Sequence, residues 1–235
     1  MAKKTAIKLH AIKKESMEVT VIGDSPLIVH AFAAKSLGEM FSKHVNAAWE
    51  KTPKDPAMDY DVATYWIDEN GEEMGDIPSL SLIVDGQIPE YVQQGIDRIE
   101  KLRKVKNPRF GFPAVGFKAC AIRGGKPLGM VMTDMRGAFH IAREFVEIHG
   151  ERTMRNDMTR NSGGNPDVRF RPEWKTWWAV LPVTYSPNVV SAEAVLNMLN
   201  MGGFGCGVGD WRPNKGGSCG MFHVATPAEI KTLKK

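Results

Sequence analysis

The sequence predicts an α+β fold in which an antiparallel sheet carries helices on one face, with inserted loops. Segments with the period-two pattern of strands and segments with helical spacing occur in mixed order along the chain. They do not follow the regular strand-helix alternation of a doubly wound parallel sheet. With 235 residues, of which 43% are apolar, the chain is long enough for one large domain with a substantial core.

The N-terminal part begins with a strand and continues with an amphipathic helix. At residues 17–22, apolar and polar side chains alternate up to a Gly-Asp-Ser-Pro turn, which predicts a strand. A second apolar stretch covers residues 27–32. Apolar residues at helical spacing predict a helix over residues 35–49, whereas residues 60–67 fit either a helix or a strand.

The middle of the chain contains the strongest helical pattern. Residues 88–105 carry an apolar stripe and a charged face, with Pro89 in the first turn and Asn107-Pro108 after the end. Small residues at 113–125 then predict a short, tightly packed helix that stops at two glycines.

In the C-terminal half, two predicted strands flank a loop, and a helix and a short strand follow. The strands are expected at residues 139–148 and 174–185, on either side of a polar, basic loop at residues 152–172. A helix is predicted at residues 192–201 behind a serine N-cap, and a last strand at residues 221–224.

Composition limits the class of protein. No run approaches the about 18 apolar residues of a membrane span, and the Lys-rich start leads into no signal-peptide core. The cysteines Cys120, Cys206 and Cys219 are widely spaced, so neither a disulfide framework nor a CxxC metal site is expected. We therefore expect a cytoplasmic protein with reduced thiols and no membrane partner.

Charge is distributed unevenly around a net value of +4. Acidic residues dominate residues 50–97, and basic residues dominate residues 98–136. This asymmetry is typical of a footprint for a polyanion, or of acidic and basic surfaces that meet between copies of one protein. A salt-bridged helix surface is the alternative for residues 98–106.

A glycine-rich segment near the C-terminus is the most unusual feature of the sequence. Each glycine costs roughly 0.5 to 1 kcal/mol of backbone entropy relative to alanine, so the segment needs a compensating role. Backbone that approaches a ligand and offers N–H groups to phosphates is one explanation, and tight turns with helix caps are the other. The segment follows a helix, which excludes the dinucleotide-binding fingerprint.

Aromatic and cationic residues occur together in two places. Trp211, Arg212 and Lys215 lie within the glycine-rich segment, where an aromatic plane with cations suits base stacking and phosphate neutralisation. An indole packed beneath the loop is the alternative for Trp211. Arginines also crowd the predicted basic loop, and their planar groups suit bidentate phosphate contacts.

Sequence motifs of catalysis are missing. The six histidines make no metal-ligand pair, and no nucleophile elbow surrounds a serine. Asp59 and Asp61 have the spacing to bind a metal, but an exposed acidic segment is the better explanation for them. We expect no catalytic residue, no cofactor and no metal.

Four segments together resemble the ferredoxin-like superfamily that supplies the guide-RNA-binding backbone subunits of CRISPR effector complexes, the repeat-associated mysterious proteins. They are GDSPLIVH, FPAVGFKACAIRG, the helix that runs into the glycine-rich segment, and GGSCGMFHV. Most of the chain is also similar to a group of uncharacterised bacteriophage and prophage proteins that end in a comparable stretch with Trp-Arg-Pro and Gly-Gly.

The resemblance implies one domain over residues 1–235 with a ferredoxin-like or RRM-like sheet. Insertions would fall at about residues 50–87, which are acidic, and 152–172, which are basic. It also implies that Lys118, Arg123 and the backbone of residues 203–209 face a nucleic-acid strand. Protomers would polymerise side by side, with residues 152–172 as a hairpin that reaches a neighbour. The added WRPNK sequence and the phage setting favour DNA replication or recombination over CRISPR interference.

Taken together, these observations predict a non-catalytic, homo-oligomeric protein that binds single-stranded DNA or RNA in the host cytoplasm. The predicted contact residues are Lys118, Arg123, Lys126, Arg136, Arg155, Arg160, Arg169, Arg171, Gly203, Gly205, Gly207, Gly209, Trp211, Arg212 and Lys215. A metal-independent endoribonuclease that uses His30 or His44 is one alternative. A phage structural or host-interaction protein is the other.

Overall fold

The structure, a computed structural model, describes residues 11–44, 53–160, 164 and 166–233. The strands are β1 (Glu15–Gly23), β2 (Leu27–Ile28), β3 (Tyr65–Ile67), β4 (Arg109–Pro113), β5 (Phe139–Ile141), β6 (Phe145–Glu147), β7 (Arg152–Arg160), β8 (Pro166–Trp174), β9 (Trp178–Tyr185) and β10 (Phe222–Val224). The α-helices are α1 (Ala34–His44), α2 (Pro56–Val62), α3 (Ser81–Val84), α4 (Ile88–Leu102), α5 (Ala114–Gly125), α6 (Met132–Ala138), α7 (Ala192–Gly205) and α8 (Pro227–Leu233). Short 3-10 turns follow at Lys126–Leu128 and Pro213–Lys215. The predicted α+β class is confirmed.

The central layer is a four-stranded antiparallel sheet with the order β10-β1-β9-β5. Alternate residues of its two central strands are buried, namely Val19 and Val21 of β1 and Ala179 and Leu181 of β9. This period of two gives the sheet one apolar face, as the sequence of β1 predicts. Helices α5 and α7 supply the buried side chains that complete this core.

Glycines allow α5 and α7 to pack with their backbones almost in contact. A Cβ atom on Gly124 would lie 2.2 Å from the carbonyl oxygen of Met198, and one on Gly202 would lie 2.4 Å from that of Cys120. Neither distance is compatible with a side chain. The two helices therefore cross at a pair of positions that only glycine can occupy.

Two smaller antiparallel sheets flank the central one. The first has the order β2-β8-β7 and is dominated by the long hairpin of β7 and β8. The second has the order β3-β4-β6 and packs through Trp66 against Ile99 and Leu102 of α4. Helix α4 confirms the strongest helical prediction, and Ser191 caps α7 as expected because its hydroxyl accepts the Ala194 N–H at 3.1 Å.

Several predicted boundaries are wrong. Residues 152–172 form the β7–β8 hairpin, as the resemblance implies, and not the loop that their polarity predicts. Their charged side chains pair across the strands in place of the apolar alternation that marks a strand. The predicted strand at residues 139–148 is divided between β5 and β6, which belong to different sheets. The predicted strand at residues 174–185 is interrupted, because Trp174 ends β8 and β9 begins at Trp178.

Three further expectations need adjustment. Residues 60–67 contain both alternatives, since α2 ends at Val62 and β3 begins at Tyr65. Helix α7 continues to Gly205, four residues beyond its predicted end at Met201. Helix α1 is described to His44, and the remainder of the predicted helix at residues 45–49 lies outside the described residues.

Candidate nucleic-acid interface

Six of the predicted basic residues lie on α5, on the two elements that follow it and on the segment between α7 and β10. We define the cationic surface as these residues: Lys118, Arg123, Lys126, Arg136, Arg212 and Lys215. Four of them are exposed, and Lys118 and Arg212 are half-buried. Within the described part of the chain, none of the six has a carboxylate oxygen within 4.0 Å of its charged nitrogens. Their charge is therefore available to an external anion.

A side-chain hydrogen bond joins the end of α5 to the segment after α7. The Arg123 guanidinium donates to Oδ1 of Asn214 at 3.0 Å. The charges of Arg123 and Arg212 both reach Cys206, whose pKa is lowered first by a hydrogen bond from Cys120 and then by these two cations. The two arginines thus act on one buried thiol.

The glycine segment, defined as residues 202–220, begins inside α7 and bonds mainly to itself. Gly202, Gly203 and Gly205 are helical, so the loop starts later than predicted. After the helix, the N–H groups of Val208 and Asp210 donate to the carbonyls of Gly220 and Ile28 at 2.9 Å each. Further backbone N–H groups of the segment also donate within the fold, namely those of Cys206, Gly207, Asn214, Lys215, Gly216, Gly217, Cys219 and Gly220. Most of its backbone is thus occupied by internal bonds.

Close packing explains three of the four glycines predicted to contact a strand. A Cβ on Gly203 would lie 2.0 Å from the Phe222 carbonyl oxygen, and one on Gly209 would lie 2.4 Å from that of Ile28. Gly207 has a φ of +66° and Gly209 one of +77°, which also favour glycine. Gly205 meets open space at the exposed end of α7. Strand contact by these glycines stays a prediction.

Trp211 combines exposure with an unusual backbone conformation. The residue is 41% exposed and its φ is +54°, a left-handed conformation that costs a residue with a Cβ roughly 1 to 3 kcal/mol. The guanidinium carbons of Arg155 and Arg171 lie 5.0 and 5.3 Å from the ring centroid. Trp211 is therefore neither a buried core residue nor a free side chain: the hairpin arginines hold it at the surface.

Carboxylates neutralise the hairpin arginines beneath Trp211. Arg155 and Arg171 lie directly opposite each other on β7 and β8, a repulsive pair that the buried carboxylate of Asp157 bridges. Arg155 also bonds Glu173 at 2.8 Å, and Arg171 bonds Asp210 at 2.6 Å. With its side chain 2% exposed, Arg171 has no surface to offer a strand, contrary to the prediction.

The other two predicted hairpin residues lie nearer the tip. Arg160 is exposed and donates to the carbonyl of Gly164 at 3.3 Å, whereas Arg169 pairs with Asp167 at 3.2 Å. Asp167 also accepts from Lys54 at 2.9 Å. Arg169 is thus partly neutralised, and Arg160 keeps its charge without a carboxylate partner among the described residues.

The histidines proposed for catalysis lie in unremarkable surroundings. His30 is exposed, with Nδ1 at 3.7 Å from a carboxylate oxygen of Asp210, and His44 is exposed at the end of α1. Asp61 is buried and bonded by Arg103 at 2.7 Å and Arg152 at 2.9 Å, so its predicted exposure is wrong. No group of three or more His, Cys, Asp or Glu within the described residues is arranged to hold a metal ion.

Lys118 of the cationic surface contacts His140, a residue that the sequence did not single out. The Lys118 ammonium lies 3.1 Å from Nδ1 of His140 on β5, beside a cavity of about 460 Å³. Burial lowers the pKa of Lys118, and burial followed by the charges of Lys118 and Lys14 lowers that of His140. The spacing of positions 118 and 140 does not predict this contact, because the contact depends on how β5 packs beside α5.

Every helix within the described residues is too short or too polar to traverse a lipid bilayer. No model of a known protein family matches the sequence, and no curated protein is detectably similar to it.

Proposed function

We propose that this protein binds single-stranded nucleic acid through the cationic surface, without catalysing a reaction. The observation that carries the proposal is the contrast in ion pairing between two groups of basic residues. The inner hairpin arginines Arg155 and Arg171 are neutralised by carboxylates. The six cations of the cationic surface are unpaired within the described residues, as an interface for a polyanion requires.

Trp211 adds a second supporting argument. It is exposed beside Arg212 and in a strained conformation, and strained residues often occur at functional sites. An exposed aromatic ring suits a strand whose bases are accessible for stacking. Double-stranded nucleic acid hides its bases, so the proposed ligand is single-stranded.

The order of elements in the central layer is consistent with the resemblance to ferredoxin-like nucleic-acid-binding subunits. Strands β1, β5, β9 and β10, with α5 after β1 and α7 after β9, follow a β-α-β-β-α-β order in which the other elements are insertions. Following the similarity to phage and prophage proteins, we also propose phage replication or recombination in the host cytoplasm as the setting.

Side-by-side assembly is part of the proposal. The hairpin face opposite the ion pairs exposes Met154 (46%), Met158 (79%) and Val168 (43%). The acidic region exposes Ile77 and Val84 as well. Exposed apolar groups on a projecting hairpin are typical of protein contact surfaces. We propose that the hairpin contacts a neighbouring protomer, as the resemblance implies.

Fluorescence anisotropy with labelled single-stranded DNA, single-stranded RNA and duplex DNA tests the proposal, with the salt concentration varied. We expect both single strands to bind more tightly than the duplex, and affinity to fall by orders of magnitude between about 50 and 200 mM salt if roughly six or more phosphates are contacted. An affinity that does not depend on the salt concentration would exclude the cationic surface as the binding site. The same samples run on a denaturing gel detect strand cleavage, which would favour an endoribonuclease instead.

Light scattering with and without oligonucleotide tests the assembly. Masses that increase in steps of one protomer with oligonucleotide length are expected for side-by-side binding. A protein that remains monomeric on long strands would contradict this part of the proposal and leave strand binding itself unaffected.

A further inference from the structure

A cavity of about 460 Å³ lies between the first turns of α5 and the β5–β6 region. Its volume falls within the range of about 300 to 1,000 Å³ that is usual for small-molecule sites. The lining residues are Tyr65, Pro113, Ala114, Val115, Lys118, His140, Ile141, Arg143, Glu144 and Phe145. Cationic and aromatic side chains therefore contribute to the same cavity.

The hydrogen bond between Lys118 and His140 has only one possible direction while Lys118 is charged. An ammonium group only donates, so Lys118 donates to Nδ1 of a neutral His140 at 3.1 Å. The proton of the neutral ring then lies on Nε2. The pair thus keeps two further donors on Lys118 and one on His140, an arrangement that suits an anion with several acceptor oxygens.

The charge around this pair is positive. Arg143 contributes another cation, and within the described residues neither it nor Lys118 has a carboxylate oxygen within 4.0 Å. Glu144 is the acidic residue of the lining. The N-terminal turn of α5 adds partial positive charge from the helix dipole. Lys14 also raises the positive potential at His140.

An aromatic pair lines the cavity as well. The ring centroids of Tyr65 and Phe145 lie 5.0 Å apart with planes inclined by 38°. Tyr65 is half-buried, whereas Phe145 is buried, so Tyr65 has the more accessible ring. A planar ligand group with an anionic group attached would match the aromatic and the cationic parts together.

We propose that this cavity is a nucleotide-binding pocket in which Lys118 and His140 hold a phosphate group and Tyr65 contacts the base. The inference rests on the proposed function in one respect, since it takes the nucleotide class from the strand proposed to bind nearby. The phosphate can belong to a nucleotide within a strand or to a free mononucleotide. The pocket shares Lys118 with the cationic surface, whereas His140 and Tyr65 belong to the pocket alone.

Isothermal titration of the full chain with adenosine 5′-monophosphate, adenosine and inorganic phosphate is the first experiment. We expect the monophosphate to bind at least about tenfold more tightly than either fragment, because only it uses both the cationic and the aromatic groups. An NMR pH titration should show the pKa of His140 rising by about half a unit or more on binding, since a nearby anion favours the charged ring. Equal affinity for inorganic phosphate, or no shift at His140, would overturn the proposal.

Variants locate the site. Lys118→Met should weaken monophosphate binding by about tenfold or more. Lys104→Met, the same change at an exposed position outside both the pocket and the cationic surface, should leave it unchanged. Tyr65→Leu should weaken the monophosphate and spare inorganic phosphate. An equal loss in Lys118→Met and Lys104→Met would show nonspecific charge attraction and refute the pocket.

Strand binding distinguishes this inference from the proposed function. Monophosphate binding that depends on Lys118 in a protein that binds no strand would support the pocket and overturn the proposed function. Strand binding without monophosphate binding at millimolar concentration would do the reverse. If both occur, competition by the monophosphate against a labelled strand tells whether the pocket receives a nucleotide of the strand or a free ligand.

Discussion

The β7–β8 hairpin and the cationic surface carry similar numbers of basic residues, but they use them in opposite ways. In the hairpin, Arg155 and Arg171 form ion pairs with Asp157, Glu173 and Asp210, which neutralise their charge within the fold. On the cationic surface the charges are left to solvent. An arginine-rich stretch in a sequence therefore does not by itself identify a surface for a polyanion.

The difference has a simple physical origin. Burying a cation is tolerable only when carboxylates replace the lost hydration, so buried arginines and acidic residues must occur together. Arg171 has side-chain exposure of 2% and meets that condition. Exposed lysines on a helix need no such partner, and they remain free to bind and release an anion.

The largest expected effect comes from breaking the hairpin network. Arg171→Met would remove the ion pairs of Arg171 with Asp157 and Asp210 and leave the buried carboxylate of Asp157 with one partner fewer. The free energy of unfolding should therefore fall by about 3 to 5 kcal/mol. Urea denaturation measures this. Arg160→Met near the tip of the same hairpin is the control and should change stability by less than about 0.5 kcal/mol. Equal stability of Arg171→Met and wild type would mean that the network is not structural.

The cationic surface should show the opposite behaviour. The triple variant Lys126→Ala, Arg136→Ala and Lys215→Ala should keep the wild-type stability, because all three side chains are exposed. Its affinity for single strands should fall by about tenfold or more at low salt, and the slope of log affinity against log salt should decrease by about 2, or about 0.7 per lost phosphate contact.

A matched triple variant provides the control for this prediction. Lys43, Lys104 and Lys106 are exposed and lie outside the cationic surface. Their replacement by alanine should change neither the affinity nor the salt slope appreciably. If both triple variants weaken binding equally, the interface is not confined to the cationic surface and the comparison of regions fails.

Trp211 lies between the two regions, and its substitution separates stability from binding. Trp211→Ala should weaken single-strand binding by about 1 to 3 kcal/mol through lost stacking, and Trp211→Phe should retain most of the affinity. The loss of folding free energy should remain below the about 3 to 5 kcal/mol of a buried tryptophan, because the residue is 41% exposed. A loss of about 3 to 5 kcal/mol in folding free energy would show that Trp211 stabilises the fold like a buried tryptophan.

The smallest expected effect is on the acid stability of the hairpin network. Burial alone would raise the pKa of Asp210, but hydrogen bonds and charge from His30 and Arg171 outweigh it, so the pKa is lowered. A lowered carboxyl pKa gives stability that is present above the unfolded value of about 4 and is lost as pH falls through the folded value.

Asp210→Asn tests the sign of this effect. The variant should be less stable than wild type at pH 7, and the difference should narrow below about pH 4 as the wild-type carboxylate takes up its proton. Urea midpoints at several pH values supply the comparison. A difference that stays constant down to pH 2 would contradict the assignment of the lowered pKa to Asp210.

Local patterns predicted much of the fold and less of the candidate site. Helix α4 and strand β1 follow from their apolar periods, which are properties of neighbouring residues. The ion pairs of the site join residues far apart, such as Arg171 with Asp210 across 39 positions and Arg152 with Asp61 across 91. The same holds for Lys118 and His140, which the packing of α5 beside β5 brings together.

The resemblance implied a hairpin at residues 152–172, but the periodicity of the sequence did not predict its two strands, for a related reason. Its strands alternate charged with polar or apolar residues, and one face is buried through ion pairs instead of aliphatic side chains. Hydrophobic periodicity does not register a buried face made of Arg155, Asp157 and Arg171. The six cations of the cationic surface are all among the predicted contact residues. Their lack of carboxylate partners within the described residues depends on the three-dimensional arrangement and could not be predicted from the sequence.

The contact between Gly124 and Gly202 has a consequence for the cost of binding. Because the backbones of α5 and α7 touch and the glycine segment is bonded internally, the cations on α5 and on that segment belong to one rigid unit. A strand that binds there would lose its own freedom, whereas the protein would lose little beyond side-chain motion. A larger residue at either glycine would separate the helices and change the spacing of the charges that they carry. The packing of the core thus sets the distances between the cations of the cationic surface.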